Sequence, residues 1–368
     1  MKIAILAGET SGDNYGGLLA ENIKKAAPET IILGTGGGNM RALSDIFIEM
    51  PYGTMGFSEV IQKVGSFYDA YKRVVATIER EKPSVVIFID NPGFNLKVAR
   101  AVGKKYRCVY YIPPKIWAHD YRRIKTIKKY IKVVIPIFPF EKKIYRDVKI
   151  ECRWFGHPVI DLITKDSRGL NRESIPAKEV PVIGLLPGSR KQEVRYLLPE
   201  FIKITKHIEK ERKLQFLVSA SDTEIKKAEE SILTKYRAEK LSIKQDLYGI
   251  IHSSSLLLAA SGTVNIEIAF MGKPLVVFYK TSPLNYRLAK MAVKVKNISP
   301  VNLMLDEKIV PEYVQFFPLC DIKKTVFDIL DKGDLYHQQM KSFRILKESI
   351  GTEKVSEKVA QFILSYSE

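Results

Sequence analysis

The run Lys2-Ile3-Ala4-Ile5-Leu6-Ala7-Gly8-Glu9-Thr10-Ser11-Gly12-Asp13 decides how the chain is read. An apolar stretch stops at a glycine, and an amphipathic pattern of helical period follows over 13–26. That is a strand, a tight turn and a helix, the opening of a βαβ unit. Val182-Ile183-Gly184-Leu185-Leu186-Pro187-Gly188-Ser189-Arg190 repeats the pattern before a second helical stretch over 193–211. Further strands are expected at Thr30–Leu33, Val85–Ile89, Cys108–Ile112 and Lys132–Ile135, then at Gln215–Val218, Leu256–Ala260 and Leu275–Tyr279. Helical patterns fall between them, near 58–80, 95–105, 121–130, 222–235, 263–271 and 284–293.

Continuously apolar strands alternating with helices mean parallel sheets covered on both faces. The fold class is therefore α/β, with two Rossmann-like doubly wound domains facing across a cleft. The expected bounds are 1–163 for the first domain, 164–181 for a Lys-, Arg-, Ser- and Pro-rich linker, and 182–333 for the second. A helical segment over 334–368 either stays with its neighbour or packs back on the N-terminal domain.

Composition excludes several classes. With 368 residues, 46% hydrophobic and 27% charged, the chain is long enough for two cores and too apolar for disorder. Cys108, Cys152 and Cys320 make neither a disulfide framework nor a C-x-x-C pair, which favours a reducing cytoplasm. No apolar run reaches the roughly 20 residues a membrane span requires, and the N-terminus lacks the pattern of a signal peptide. The formal net charge of +18 points to a polyanionic partner. Most of it is local: residues 97–153 carry 17 Lys or Arg against 4 Asp or Glu.

The chemistry-bearing residues stand at strand ends, where such sheets bind ligands. Glu9, Ser11, Gly12 and Asp13 follow the first strand and read as a sugar-binding loop or an ordinary helix start. Gly34-Thr35-Gly36-Gly37-Gly38 is neither a dinucleotide fingerprint nor a P-loop. Asp90, ending Val85–Ile89 and leading into Asn91-Pro92-Gly93-Phe94-Asn95, suits a general base or caps the next helix. His157, in Phe155-Gly156-His157-Pro158, is structural or ligand-facing. Ser189 and Arg190 offer donors to phosphate oxygens. Ser261, Gly262 and Thr263 open a helix suited to a diphosphate, and Glu267 lies one turn on, placed to accept from ribose hydroxyls. No two aspartates are two residues apart, so no metal is expected, and charge on a leaving group falls to Arg190 and helix dipoles. Over Met55–Val75 an apolar stripe with Met55, Phe57, Val60, Ile61 and Val64 is either core or a lipid-facing surface.

Taken together, nine stretches resemble the lipid-A-disaccharide synthase family: AGETSGD at 7–13, GTGGGNM at 34–40, MGFSEV at 55–60, IDNPGFN at 89–95, FPFEKKIY at 138–145, FGHPVID at 155–161, LLPGSRKQEV at 185–194, AASGTVNIE at 259–267 and SPVNLM at 299–304. The likeness runs from Lys2 to about Gln315. It implies a GT-B-type architecture and an inverting, metal-independent glycosyltransferase. That family's reaction joins UDP-2,3-diacylglucosamine to 2,3-diacylglucosamine 1-phosphate, giving the β-1′,6-linked disaccharide and UDP, without a cofactor. The resemblance assigns Glu9, Asp90, Arg190 and Asn302 to catalysis and Ser189, Arg190, Ser261, Gly262, Thr263 and Glu267 to the donor. It places the apolar stretch with Met55, Phe57, Val60, Ile61 and Val64 at the membrane, and these residues with Ser11, Gly12 and His157 make up the expected acceptor or lipid side. It implies an anionic membrane surface as partner, at the cytoplasmic side of the inner membrane of a Gram-negative-type bacterium, and no nucleic acid; a homodimer stays open. Three departures stand out: Gly93 where the family commonly carries Asp, Pro113–His119 in place of its Ser-Pro-x-x-Trp-Ala-Trp, and SPVNL in place of SLPNL. The alternatives are another UDP-sugar enzyme of this fold, such as a UDP-N-acetylglucosamine 2-epimerase, and a basic nucleic-acid-binding protein.

Overall fold

A computed structural model describes residues 1–8, 10–50, 64–117, 121–167, 180–283, 285–287, 297–349, 351 and 354–367. The chain divides into two compact units, Met1–Leu162 with Ile350–Glu368, and Ile163–Ser349.

The first unit holds seven strands: β1 (Lys2–Ala7), β2 (Ile31–Thr35), β3 (Ile46–Phe47), β4 (Val85–Ile89), β5 (Arg107–Tyr111), β6 (Val133–Ile135) and β7 (Glu151–Cys152). They form one parallel sheet in the order β3-β2-β1-β4-β5-β6-β7. Strands β1 and β4 lie side by side with Ala7 opposite Ile89, so the loops after them leave the same edge together. Apart from Lys2 at the start of β1, both strands are apolar and buried, as helices on both sheet faces demand.

The second unit repeats the design with β8 (Val182–Leu186), β9 (Gln215–Ser219), β10 (Ser242–Lys244), β11 (Leu256–Ala260), β12 (Leu275–Tyr279) and β13 (Glu312–Val314). Its sheet is again parallel, in the order β10-β9-β8-β11-β12-β13. Each unit has its own core: Phe88, Tyr110 and Tyr145 are among the residues that fill the first, and Phe201, Phe278 and Val276 the second.

Most expected strands form within a residue or two. Strands β3, β7, β10 and β13 were not expected, because two or three residues at a sheet edge carry no period of their own. The helix expected over 95–105 starts earlier, at Pro92, whose fixed φ suits the first turn, and ends before Gly103. The stretch 284–293 lies mainly outside the described residues, and so does most of the linker, 168–179. The linker's first residues continue the helix Val159–Ser167.

The segment 334–368 does not stay together. Helix Asp334–Ser349 belongs to the second unit, packed on helix Leu319–Leu330. Helix Val355–Ser367 belongs to the first and lies against helix Thr10–Ala26. Asp161 anchors it: its carboxylate accepts from the Val355 and Ser356 amides at 3.2 and 2.6 Å, and Phe155 packs on Phe362 with ring centroids 5.7 Å apart. Thus the motif FGHPVID serves in part to hold the C-terminal helix. No described helix is long and apolar enough to cross a membrane.

Candidate functional site

Each unit carries a pair of loops at the point where its strand order reverses. In the first unit these are the loops after β1 and β4. Glu9 lies outside the described residues. Gly8 meets the second loop: a Cβ there would lie 2.7 Å from the Asn91 Cβ. Ser11 is half-buried and Gly12 is buried against the end of β4.

Asp13 is taken up inside the fold. Its carboxylate, 4% exposed, accepts from the amides of Gly37, Met40 and Asn39 at 2.7, 2.9 and 3.1 Å. It thereby caps the helix Gly38–Leu43 and shapes the glycine-rich loop. Gly36, at φ +150°, is required there, since a Cβ would sit 2.9 Å from an Asp13 oxygen.

Asp90 and Asn91 both adopt the left-handed region, at φ 48° and 41°. That region costs a typical non-glycine residue on the order of 1–2 kcal/mol and costs Asp and Asn less, since their short polar side chains tolerate it. The turn is held by its neighbours. Buried Asn95 donates to the carbonyls of Asp90, Ile89 and Leu6 at 2.8, 3.2 and 3.3 Å, and the Tyr110 hydroxyl donates to the Asp90 carbonyl at 2.7 Å. Burial raises the Tyr110 hydroxyl pKa well above its usual value, and the nearby Asp90 carboxylate adds to the rise, so this hydroxyl stays a donor. Asp90 itself is half-buried at the sheet edge, a strained backbone carrying a carboxylate. Gly93, beside it, is exposed, and a Cβ there would meet nothing among the described residues within 4 Å.

His157 is 1% exposed and packs edge-on to Tyr15 and against Phe138. Its Nδ1 accepts from the Val159 amide at 3.1 Å, which places the proton on Nε2. Burial, with help from the Lys115 charge, pushes its pKa down to about 3, so the ring is neutral. Nearby, Glu141 accepts from the Trp117 indole at 3.0 Å and the Phe138 amide at 3.3 Å, and burial raises its pKa to about 7.

Met55, Phe57, Val60 and Ile61 lie outside the described residues, as does the side chain of Val64. In helix Val64–Glu81, Ala70, Val74 and Ile78 belong to the core, whereas Tyr68 is 56% exposed with the Lys72 ammonium 4.4 Å from its ring centroid.

In the second unit the paired loops follow β8 and β11, whose register sets Leu186 opposite Ala259. Gly188 has φ +119°, and a Cβ would stand 2.6 Å from the Glu193 Cβ. Glu193 ties the loop by accepting from the Ser189 and Arg190 amides at 3.1 and 3.3 Å. The Arg190 guanidinium lies 3.5 Å from the other Glu193 oxygen and remains 41% exposed. Beyond β11, the Gly262 amide donates to Asn265 at 2.7 Å, while a Cβ on Gly262 would meet nothing among the described residues within 4 Å. Glu267 is 8% exposed and accepts from the Tyr248 hydroxyl at 2.8 Å.

Asn302 is fully buried, and its amide is engaged on every side. It donates to the Val310 carbonyl at 2.8 Å and to Glu312 at 2.7 Å, and accepts from the Ile309 and Val310 amides at 2.9 and 2.8 Å. It therefore shapes the loop after helix Pro300–Leu305 instead of presenting its side chain. Sequence reasoning missed the supports Asn95, Tyr110, Glu193, Tyr248 and Glu312. Asn95 and Glu193 lie inside quoted motifs; Tyr248 and Glu312 carry no local signal.

Residues 3–363 match the lipid-A-disaccharide synthetase family. A Koribacter versatilis protein named lipid-A-disaccharide synthase is 30% identical, covering 100% of this chain and 99% of its own. Lipid-A-disaccharide synthase 1 of Legionella pneumophila strain Philadelphia 1 is 32% identical over 86% of this chain and 84% of its own. Among solved structures, UDP-GlcNAc 2-epimerase from Neisseria meningitidis bound to UDP-GlcNAc is similar with TM-score 0.62 at 11% identity, covering 99% of this chain and all of that one. An S. aureus MnaA–UDP structure gives TM-score 0.65 at 12% identity over 99% of this chain and 96% of that one. These two likenesses establish a shared fold, of GT-B type. Full-length agreement in sequence decides the rest: the chain belongs to the lipid-A-disaccharide synthetase family.

Proposed function

We propose that the two loop pairs divide the family's glycosyl transfer between them, the first unit taking the acceptor and the second the UDP-sugar. Membership of the family makes the chain a glycosyltransferase of lipid A biosynthesis. The observation that carries the division is that the loops bearing Ser11, Gly12 and Asp90 and the loops bearing Ser189, Arg190 and Ser261–Thr263 each lie at a strand-order reversal, β1/β4 in one sheet and β8/β11 in the other.

Asp90 is the base. Its carboxylate takes the proton of the acceptor 6-hydroxyl, whose oxygen attacks the anomeric carbon of UDP-2,3-diacylglucosamine opposite the leaving UDP. The new bond is β, which is inversion. Glu9 is the alternative base. Arg190, with Ser189, meets the diphosphate as charge builds on it, and the Ser261–Thr263 loop offers polar groups beside open space over Gly262. Glu267, oriented by Tyr248, accepts from the ribose hydroxyls. Ser11 and Gly12 take the acceptor, the apolar residues of 55–64 take its lipid, and His157 packs on Tyr15 of the helix that Ser11 and Gly12 help to open. No metal and no cofactor enter these steps.

The acceptor, 2,3-diacylglucosamine 1-phosphate, and the donor both carry acyl chains and phosphate. The basic stretch 97–153 and the Tyr68–Lys72 pair suit an anionic bilayer surface on the cytoplasmic side. Flotation with anionic vesicles at rising salt tests this, and binding indifferent to lipid charge and salt would refute it.

The reaction itself is tested by incubating the protein in detergent with both substrates, with and without EDTA, and detecting the disaccharide by mass spectrometry. Product in both samples is expected. Its absence from both, with UDP still bound, would overturn the acceptor assignment.

A further inference from the structure

Glu312, the first residue of β13, is a meeting point of three donors. Its Oε2 accepts from the Ile298 amide at 2.9 Å, and its Oε1 accepts from the Ser299 amide at 2.8 Å and from Asn302 Nδ2 at 2.7 Å. The Ile298 carbonyl in turn accepts from Ser261 Oγ at 2.8 Å. One carboxylate thus joins β13, the segment entering helix Pro300–Leu305 and the loop after β11. Its own position is set by the sheet, where Glu312 stands opposite Val277 of β12.

We infer that Glu312 is a positioning residue for the UDP-sugar, holding the Ser261–Thr263 loop in register through Ile298. The inference rests on the reading that this loop meets UDP. A carboxylate suits the task because it can accept three hydrogen bonds with two oxygens and donates none. Glutamine in its place turns an –NH₂ toward at least one N–H donor, leaving that buried donor unpaired. The Ser261 hydroxyl then loses its fixed acceptor, and the loop loses the geometry in which UDP finds it. Asn302 belongs to the same device, which accounts for a buried, fully bonded side chain in a stretch the family shares.

The test measures UDP binding by calorimetry and steady-state kinetics on the full chain, for wild type, Gly262→Val, Glu312→Gln, Ser261→Ala and the double variant Ser261→Ala/Glu312→Gln. Gly262→Val fills the open space at the loop and should weaken UDP at least about 10-fold. Glu312→Gln should weaken UDP about 5- to 20-fold and raise the donor KM by a similar factor, with the acceptor KM within about twofold of wild type. The double variant should bind no worse than Glu312→Gln alone, since both cut one linkage.

If Gly262→Val binds UDP normally, the loop does not meet UDP, and the assignment of Glu312 falls with it. If Gly262→Val fails to bind but Glu312→Gln matches wild type, the UDP reading stands and the role of Glu312 is refuted. Equal rises in donor and acceptor KM, or additive losses in the double variant, would refute it too. Should Glu312→Gln fail to fold, Ser261→Ala carries the test, and unchanged UDP affinity there overturns the linkage.

Discussion

Gly8 and Asn91 close on each other where β1 and β4 end side by side, with room between them for no side-chain carbon. This contact brings two loops that are far apart in sequence to one place, and it abuts the left-handed turn that presents Asp90. Gly8→Ala forces a methyl against the Asn91 side chain. The expected cost is about 1–3 kcal/mol of stability, together with a fall in turnover as the Asp90 turn shifts. A urea midpoint unchanged from wild type would show that the two loops do not depend on this contact.

Asp90→Asn keeps the shape of the turn, since asparagine tolerates the left-handed region, and removes the base. Turnover should fall by about 10²–10⁴-fold, with UDP affinity retained. Near-normal product formation by the purified variant would move the base elsewhere, Glu9 first.

Asn302→Ala strands two amides and a carbonyl and takes a donor from Glu312. The expected loss is on the order of 3–5 kcal/mol, seen as a clear drop in melting temperature. Lost activity at an unaltered melting temperature would instead give Asn302 a direct part in the reaction.

Glu229, on helix Thr223–Lys235, is fully buried, and neither carboxyl oxygen has a hydrogen-bond partner among the described residues. Burial foremost, then Asp222 and Glu230, raises its pKa from 4.5 to about 8. The folded chain therefore holds this proton where the unfolded chain has released it, and the site makes stability fall as pH rises from 4.5 to about 8. Glu229→Gln should remove that slope. Thermal melts at pH 5, 7 and 9 should show a gain that grows with pH, and an equal effect at all three would refute the assignment.

Gly93 is the departure from the family pattern that the structure explains most simply. It is exposed in the first turn of helix Pro92–Val102, with open space where a side chain would point. Gly93→Asp should fit, lower the entropy of the unfolded chain and place a negative charge at the helix start, for a gain of about 0.5–1 kcal/mol. A lowered midpoint in urea would show that the turn needs glycine.

Strand, glycine turn and helix are neighbours along the chain, so the amino-acid sequence alone was enough to place Lys2–Ala7, Val85–Ile89, Val182–Leu186 and Leu256–Ala260 and the loops after them. It also sufficed to recognise two doubly wound sheets and the family, because short motifs keep their order whatever the packing. The pairing of β1 with β4 and of β8 with β11, which gathers those loops, is a long-range choice made by burial of both sheet faces. The same holds for the fate of individual polar groups. Asp13, Asn302 and His157 have the chemistry of site residues, yet the fold gives Asp13 and Asn302 internal partners, because a polar group left unpaired in the interior is costly, and packs His157 among aromatic rings. Glu312 shows the converse: an ordinary glutamate in sequence, it acquires its role only when folding brings Ile298, Ser299 and Asn302 to its two oxygens.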